Sequence, residues 1–362
     1  MATTFKTLLN NDITSTRTLL HEAIPVTGTI VSGTYAEAST STSNIKNYGH
    51  QMFQSVYDYP YLSSSANHIF DITVGYHSTS ELSSAVDVAG DQSKKINIYN
   101  QMAQLLVGHD VNGNIRQFDQ DGDLTAGTKM KEAIFINFAR LLNKDEIKKG
   151  SVSLQFLTGG RPANAGAVVA PVGGPQEGLK TVADYNAQNE FRINSPAGEY
   201  GILYTSSATP LADGSSGVGL IFYQAGIAVL TSSIFDGQFG QAGASYDTSS
   251  IQAVLTASNI TASCDGLRNR WYNAQYNNTT ELNSTIYFCR ANHNDFNYST
   301  NPTYLENSKI KVKNNTFDMP VSYITTVGLY SADNELLAVA KVSEPLKKQP
   351  DTELTLRVRL DY

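Results

Sequence analysis

The sequence predicts a β-rich α+β protein, and three features of its 362 residues support this prediction. Short runs of alternating apolar and polar residues occur along much of the chain and are typical of half-buried strands. Two longer segments in the N-terminal half carry apolar residues at helical spacing instead. Segment 281–362 holds only strand patterns separated by turn residues, which predicts an antiparallel β-sandwich-like domain at the C-terminus.

Changes in composition divide the chain into four segments. Residues 1–157 are predicted to form an N-terminal α+β domain, and residues 181–280 a middle β-rich region with a candidate helix. Residues 281–362 form the C-terminal β domain in this interpretation. Segment 158–180 lies between the first two, is rich in Gly, Pro and Ala and lacks periodicity. Such a segment suits either an arm that reaches a neighbouring subunit or a surface loop without fixed structure.

The N-terminal domain is predicted to contain one clear strand and two amphipathic helices. HIFDITVGYH, residues 68–77, alternates apolar and polar positions as a half-buried strand does. Segments 94–108 and 128–150 each place apolar residues on one helical face and end in glycine, which favours helix termination. A shorter helix is predicted after Thr18 and before Pro25.

The middle region and the C-terminal domain carry further strand patterns. Two nearly continuous apolar runs, 218–224 and 226–233, indicate strands buried on both faces, with a bend at Ala225 and Gly226. Segment 250–276 is interpreted as a helix because Ser250 is a suitable N-cap. The remaining predicted strands are 201–207, 284–292, 309–317, 323–331, 335–342 and 352–362.

Charge and composition exclude several classes of partner. The formal net charge is -7, which argues against nucleic acid, because phosphate binding needs clustered Lys and Arg. No apolar run is long enough to cross a membrane, and no signal-peptide pattern is seen at the N-terminus. We therefore expect Cys264 and Cys289 to be free thiols in a reducing compartment. Charged residues make up only 16%, so a weakly charged, amide- and hydroxyl-rich surface is expected to suit large contact areas.

Residues 323–342 are predicted to form a β-hairpin. Two apolar, strand-like runs flank the polar tetrapeptide SADN, whose Asp333 and Asn334 tolerate the left-handed backbone that tight turns require. The alternation within each run predicts one buried face. In this interpretation the hairpin belongs to the core of the C-terminal sandwich.

The same hairpin carries a resemblance to a known group of proteins. ITTVGLYSADNELLAV, residues 324–339, resembles a hairpin signature of tailed-bacteriophage tail proteins, notably collar and tail-fibre segments. ANHNDFNYSTNPTY (291–304) and KINIYNQMAQLLVGHD (95–110) are similar to segments of structural proteins of marine and cyanobacterial myoviruses. The resemblance implies a virion component, assembled in the host cytoplasm, with no active site and no cofactor.

The function expected from this resemblance is structural. We expect a tail or baseplate component, of the wedge or fibre-attachment type, that contacts other virion proteins and copies of itself as a trimer or around a sixfold axis. A receptor- or carbohydrate-binding fibre module, or a neck- or head-associated virion protein, is the alternative. The candidate interaction residues are three tyrosines of YDYPYL and three residues of the Gly/Pro-rich segment: Tyr57, Tyr59, Tyr61, Arg161, Pro162 and Pro171.

One short motif contains candidate metal-binding residues. Asp119, Asp121 and Asp123 alternate in FDQDGDLTAGTKM, a spacing that supplies oxygen ligands to a hard cation such as Ca²⁺. The EF-hand pattern is incomplete, because Leu124 occupies the sixth position and Met130 the twelfth. An Asp-Gly turn without a cation is the simpler explanation of the motif. The chain contains no H-E-x-x-H, G-x-S-x-G or C-x-x-C motif, so we expect no enzymatic activity.

Overall fold

The computed structural model describes residues 5–26, 28, 30, 43–84, 91–124, 127–138, 146–157, 179–205, 216–235, 251–268, 270–298, 302–306, 309, 310, 315, 317 and 319–362. The chain divides into two compact units. The terminal unit combines Met1–Leu19 with Glu281–Tyr362, and the central unit comprises Leu20–Thr280. Among the described residues, no helix combines the length and the apolar character that a membrane span requires.

The described residues form a β-rich α+β structure. The strands, in chain order, are β1 (Ile13–Ile24), β2 (Ile45–Asn47), β3 (Gln54–Tyr57), β4 (His68–Tyr76), β5 (Glu132–Asn137), β6 (Glu146–Ile147), β7 (Ser153–Leu157), β8 (Leu179–Ala183), β9 (Tyr200–Leu203), β10 (Gly219–Phe222), β11 (Ile227–Thr231), β12 (Trp271–Ala291), β13 (Leu305–Glu306), β14 (Lys309–Ile310), β15 (Ser322–Tyr330), β16 (Leu336–Lys348) and β17 (Leu354–Asp361). The α-helices are α1 (Asp91–Leu106), α2 (Ile251–Leu255) and α3 (Ile260–Arg268), and 3-10 turns cover Asn10–Asp12, Glu81–Ser84, Ser232–Phe235 and Pro302–Tyr304.

The central unit is built on a seven-stranded antiparallel sheet with the order β2-β3-β4-β5-β11-β10-β9. Strands β10 and β11 are buried along their whole length, as their continuous apolar sequences predict. The bend between them is confirmed, since residues 223–226 form a turn in which Gly226 has a φ of 66°. The predicted strand 68–77 is confirmed as β4, against which α1 and α3 pack.

Helix α1 confirms the helix predicted at 94–108 and is anchored by two buried polar side chains. The hydroxyl group of Tyr99 donates a hydrogen bond to Met130 O (2.7 Å) and accepts one from Phe118 N (3.2 Å). The Lys95 ammonium group donates to Leu255 O (2.7 Å) and Ala257 O (2.8 Å) at the C-terminal end of α2. The two Lys95 bonds satisfy carbonyl groups that the end of α2 leaves without intrahelical partners.

The second predicted amphipathic helix, 128–150, is wrong. Residues 132–137 form β5, which pairs with β4 on one side and β11 on the other, and residues 146–147 form β6. The run Ile134, Phe135, Ile136 is apolar on both strand faces because β5 lies in the middle of the sheet. A short, continuously apolar segment fits a buried strand as well as a helix, and the strand neighbours decide between them.

Two other helix predictions need correction. The segment after Thr18 lies within strand β1, where alternating Thr residues favour an extended backbone. Segment 250–276 forms two short helices, α2 and α3, and then enters β12 at Trp271. In the central unit, the first half of β12 pairs with β7 and β6, so its register with neighbouring strands overrides the helical pattern.

Gly75 in β4 allows α1 to approach the sheet closely. A Cβ atom at this position would lie 2.8 Å from Lys95 O and 2.9 Å from Tyr99 N, both backbone atoms of α1. Such distances are too short for van der Waals contact, so the helix would have to move. Gly49 offers the opposite case, since a Cβ atom there would meet nothing within 4 Å.

We predict that Gly75→Ala lowers the free energy of unfolding by roughly 1–3 kcal/mol, because the added methyl group overpacks the helix–sheet contact. Gly49→Ala is the matched control and should change it by less than about 0.5 kcal/mol. Urea denaturation of both variants checks the prediction. Equal stability of the two variants would contradict the packing assigned to α1.

Asp184 is a buried carboxylate that connects the segment before β7 to Tyr223, which follows β10. It accepts hydrogen bonds from Gly150 N (2.7 Å), Val152 N (2.9 Å) and the Tyr223 hydroxyl group (3.0 Å). Burial raises the pKa of Asp184 to about 6, although these hydrogen bonds lower it in part. The folded state therefore holds the proton more tightly than the unfolded chain, whose Asp pKa is about 3.9.

A group with a raised folded-state pKa stabilises the fold at low pH and loses that contribution as pH rises through its folded pKa. We predict that the free energy of unfolding of the wild type falls by roughly 1–3 kcal/mol more than that of Asp184→Asn between pH 4.5 and 7.5. Urea unfolding at both pH values gives this difference. Parallel pH profiles for the two proteins would show that Asp184 titrates normally.

Candidate functional site

The described part of the terminal unit contains three small β-structures, of which the shortest is the β13–β14 pair. Strand β17 pairs with the second half of β12, from Ser284 opposite Asp361 to Ala291 opposite Leu354. Part of β1 also lies in this unit, where the Ser15 hydroxyl group is 3.3 Å from that of Thr285. Strands β15 and β16 form a separate antiparallel hairpin, and within the described residues they pair only with each other. Within the described part of the chain, both outer edges of the hairpin therefore have no strand partner.

The terminal unit buries few apolar side chains. Among its described residues, Ala291, Val321 and Val358 alone are buried and apolar, whereas the large apolar cluster of the structure contains residues of the central unit only. Its buried polar residues are more numerous: Asp12, Ser284, Thr285, Ser322 and Lys348. The described part of the terminal unit therefore lacks a hydrophobic core of its own.

Lys348 shows how polar contacts hold this unit together. Its side chain is fully buried, and its ammonium group donates to Asn297 Oδ1 (2.7 Å), Gln349 O (2.8 Å) and His293 O (3.1 Å). Such a network fixes the geometry of a chain segment. Its net contribution to stability is small, because the same groups hydrogen-bond to water in the unfolded chain.

The predicted hairpin is confirmed, including its turn. Asn334 has a φ of 63°, in the left-handed region, and Ser331 N donates to Glu335 O (2.9 Å). The Ser331 hydroxyl group accepts hydrogen bonds from Asp333 N and Glu335 N, each at 3.2 Å. The turn is thus closed by both backbone and side-chain contacts.

The expectation that this hairpin packs into a sandwich core is wrong. Its apolar side chains are exposed or half-buried along both strands. The sandwich-like C-terminal domain is likewise not confirmed. The other exposed large apolar residues of the terminal unit are distributed over its remaining segments: Phe5, Leu9, Ile13, Leu19, Leu282, Phe296, Tyr298, Phe317, Met319 and Tyr362.

One face of the hairpin forms a continuous apolar surface, which we call the apolar hairpin face: Phe5, Gly328, Tyr330, Leu336 and Val339. The Phe5 and Tyr330 ring centroids are 4.7 Å apart. Tyr330 and Leu336 lie over Gly328, whose Cβ would meet their side chains at 3.0 Å and 3.3 Å, and Val339 is its cross-strand partner. The four side chains are 42% to 54% exposed, which is unusual for apolar residues in mutual contact.

The terminal unit carries no formal net charge. It contains eleven Lys and Arg residues and eleven Asp and Glu residues, so the whole net charge of -7 belongs to the central unit. Ion pairs such as Arg290 Nε with Asp12 Oδ1 (2.6 Å) link opposite charges within the unit. A hydrogen bond from Leu9 N, followed by the Arg290 side chain, lowers the pKa of Asp12. Copies of this unit would meet without net electrostatic repulsion.

The tyrosines of YDYPYL lie next to and within a loop that the Asp58 side chain closes. Asp58 Oδ1 accepts a hydrogen bond from Asn67 N (2.6 Å), and Asp58 Oδ2 one from Asn67 Nδ2 (2.9 Å), which closes residues 58–67. Tyr59 is exposed, whereas Tyr57 contacts the His68 ring. Burial and the neighbouring Tyr48 raise the pKa of Tyr57 to about 12.

Of the other four candidate interaction residues, Tyr61 alone lies in the described part of the chain. Tyr61 is half-buried in the same loop, and its backbone N donates to Ser43 O (3.0 Å), which lies just before β2. Arg161, Pro162 and Pro171 lie outside the described residues, as does nearly all of segment 158–180. The binding roles of all six residues remain predictions.

The structure brings the three predicted acidic residues together. One carboxylate oxygen from each of Asp119, Asp121 and Asp123 lies within 4.8 Å of the other two. Asp119 is buried and forms an ion pair with Lys129, its partner in an antiparallel bridge. Burial raises the pKa of Asp119, although Lys129 opposes this. The loop closes between paired extended segments, so it differs from the helix-flanked EF-hand.

A Ser–Asp–His group on β3 and β4 has no counterpart among the predicted sites. Asp71 Oδ1 accepts from the Ser55 hydroxyl group (2.5 Å) and contacts His68 Nε2 (2.6 Å). Both side chains thus bind the same carboxylate oxygen. A nucleophilic serine would need the histidine as its own hydrogen-bond partner, so this group joins the two strands and does not form a catalytic triad.

The apolar hairpin face was missed as a site because the sequence cannot show what covers an apolar strand. The alternation in residues 323–342 indicates an apolar face whether the same chain or another molecule packs on it. Phe5 carries no recognisable signal, since its contact with Tyr330 spans almost the whole sequence. Comparisons with protein-family models, curated proteins and solved structures find no match to this chain.

Proposed function

We propose that this protein is a structural subunit of a tailed-phage tail or baseplate, and that it assembles with copies of itself through the terminal unit. The observation that carries the proposal is the exposed apolar surface of a unit that buries only three apolar side chains among its described residues. A unit of this kind gains too little free energy from its own contacts. Burial against a second molecule supplies the missing hydrophobic stabilisation.

The hairpin illustrates why the terminal unit requires burial against a second molecule. A two-stranded hairpin is at best marginally stable in water, and β15 and β16 pair only with each other in the described chain. Covering each large apolar side chain of the apolar hairpin face would contribute roughly 1.5–3 kcal/mol. The open hairpin edges also permit strand pairing between subunits, which would add backbone hydrogen bonds.

A second copy of this chain fits the surface better than an unlike partner of opposite charge. The terminal unit is formally neutral, and proteins near zero net charge tend to associate. The central unit carries the entire net negative charge, so the central units of different copies would repel each other. Self-association usually gives closed symmetry, and the resemblance to phage tail proteins favours a trimer or a ring around a sixfold axis.

The tail or baseplate role is supported by the likeness of residues 324–339 to hairpins of phage collar and fibre proteins. Phage tails are built from repeated subunit contacts, and the apolar side chains of the hairpin are exposed or half-buried. A neck or head position would use the same contacts. Mass spectrometry of purified particles, followed by localisation in a cryo-EM map, tests where in the virion the chain lies. Absence of the chain from particles would refute the virion role.

A receptor- or carbohydrate-binding module is the second candidate, and one observation favours it. Tyr59 and Leu62 are exposed on the loop that Asp58 closes, and an exposed tyrosine on a fixed loop can stack on a sugar ring. Glycan-array binding that is lost in Tyr59→Ala would support this candidate. Absence of binding by the wild type would remove it.

We predict that Val339→Asp raises the dissociation constant of the oligomer at least about tenfold, because each copy would bury an unpaired carboxylate in an apolar contact. Val111→Asp is the matched control, since Val111 is 96% exposed on a turn of the central unit. Both substitutions replace an exposed valine and should leave the fold unchanged. Analytical ultracentrifugation over a concentration series measures the effect.

A wild-type protein that stays monomeric at high concentration would contradict self-assembly. An oligomer that tolerates Val339→Asp as well as Val111→Asp would place the contact on another surface. Far-UV circular dichroism of both variants confirms that any loss of assembly is not a loss of folding.

A further inference from the structure

The acidic turn of the central unit carries an inference independent of assembly. Asp119, Asp121 and Asp123 converge at the base of a loop that backbone hydrogen bonds close, from Gln120 N to Thr128 O (3.2 Å) and from Met130 N to Phe118 O (2.9 Å). The proposed function uses none of these residues.

Asp119 contains a buried oxygen atom without a hydrogen-bond donor. Its side chain is completely inaccessible to solvent, and its Oδ2 atom is bound to the Lys129 ammonium group. The other oxygen, Oδ1, accepts no hydrogen bond and is shielded from solvent. Most buried carboxylate oxygens have a hydrogen-bond partner, so this atom is available to a ligand.

The unpartnered oxygen faces a second carboxylate across a glycine. A Cβ atom at Gly127 would lie 3.5 Å from Asp119 Oδ1 and 2.8 Å from Asp121 Oδ2, so both oxygens border the space that the glycine leaves open. Two carboxylate oxygens that converge without a donor repel each other. A cation or a shared proton between them would remove the repulsion.

The charge of the cluster matches a divalent cation. Three carboxylates and the Lys129 ammonium group sum to a formal charge of -2. The mutual separations, all within 4.8 Å, fit ligands around one Ca²⁺ ion, which binds oxygen atoms at about 2.3–2.6 Å. Asp123 lies on the exposed side of the cluster, so water can complete the coordination shell.

Neighbouring residues hold the turn in place before any ion binds. The Tyr200 hydroxyl group donates to Gly122 O (2.7 Å), and Asn194 Nδ2 contacts Asp123 O (3.3 Å). Gly122 has a φ of 69°, which suits glycine at this tight bend. Binding at a turn already fixed by other contacts requires little reorganisation.

We propose that Asp119, Asp121 and Asp123 form a Ca²⁺ site in which Asp119 bridges the ion and Lys129. The bridging carboxylate gives its Oδ1 atom to Ca²⁺ and keeps Oδ2 on the ammonium group. The Lys129 charge repels the ion and weakens binding. Calcium would tie Asp121 and Asp123 to the bridged segment at Asp119, which stabilises the central unit when the ion is bound.

The test is calorimetric titration of the full chain with CaCl₂ at pH 7 after removal of metals with EDTA. We expect one saturable site per chain. Asp121→Asn should weaken binding at least about tenfold, because it removes a charged ligand. Lys129→Gln should strengthen binding severalfold, because it removes the repelling ammonium group.

Asp110→Asn is the matched control. Asp110 also closes a polar turn, accepting hydrogen bonds from Asn112 N and Asn114 N (both 2.8 Å), but it stands outside the acidic cluster. This variant should bind Ca²⁺ as the wild type does. Terbium luminescence gives a second readout, since the Tyr200 ring lies against Gly122 and can sensitise a bound Tb³⁺ ion.

No saturable binding by the wild type up to millimolar Ca²⁺ would overturn the proposal and indicate a shared proton between Asp119 and Asp121. Equal weakening by Asp110→Asn and Asp121→Asn would also overturn it, since binding would then follow surface charge alone. Neither outcome affects the assembly proposal, which rests on the other unit.

Discussion

A β-sheet is stable in water only when at least one of its faces is covered, and this constraint separates the two units of the chain. The central sheet meets it internally, because α1 and α3 pack on β4 and the middle strands are buried between their neighbours. The described strands of the terminal unit do not meet it. Their apolar side chains remain in water unless another molecule covers them.

The proposed assembly follows from this difference in burial. The central unit has the apolar packing of an independent domain, and the buried side chains of Lys95 and Asp184 have hydrogen-bond partners within the unit. The terminal unit relies on polar networks such as that of Lys348 and presents apolar surface outward.

Sequence patterns predicted strands better than they predicted burial. Period-two alternation was sufficient for β4 and the hairpin, and Asn334 indicated its turn. The helix predicted at 128–150 failed because β5 is apolar on both faces, a property that depends on β4 and β11. The alternating aspartates indicated their own cluster, but the unpartnered Oδ1 atom of Asp119 arises from packing that no local pattern contains.

The proposed assembly requires another copy of the chain to complete the terminal unit. Hydrogen exchange followed by mass spectrometry, at protein concentrations above and below the dissociation constant, can check this requirement. Amides of β15 and β16 should be protected at high concentration and exchange rapidly on dilution, while those of β4, β5 and β11 should stay protected throughout. Protection of the hairpin that does not change with concentration would contradict it.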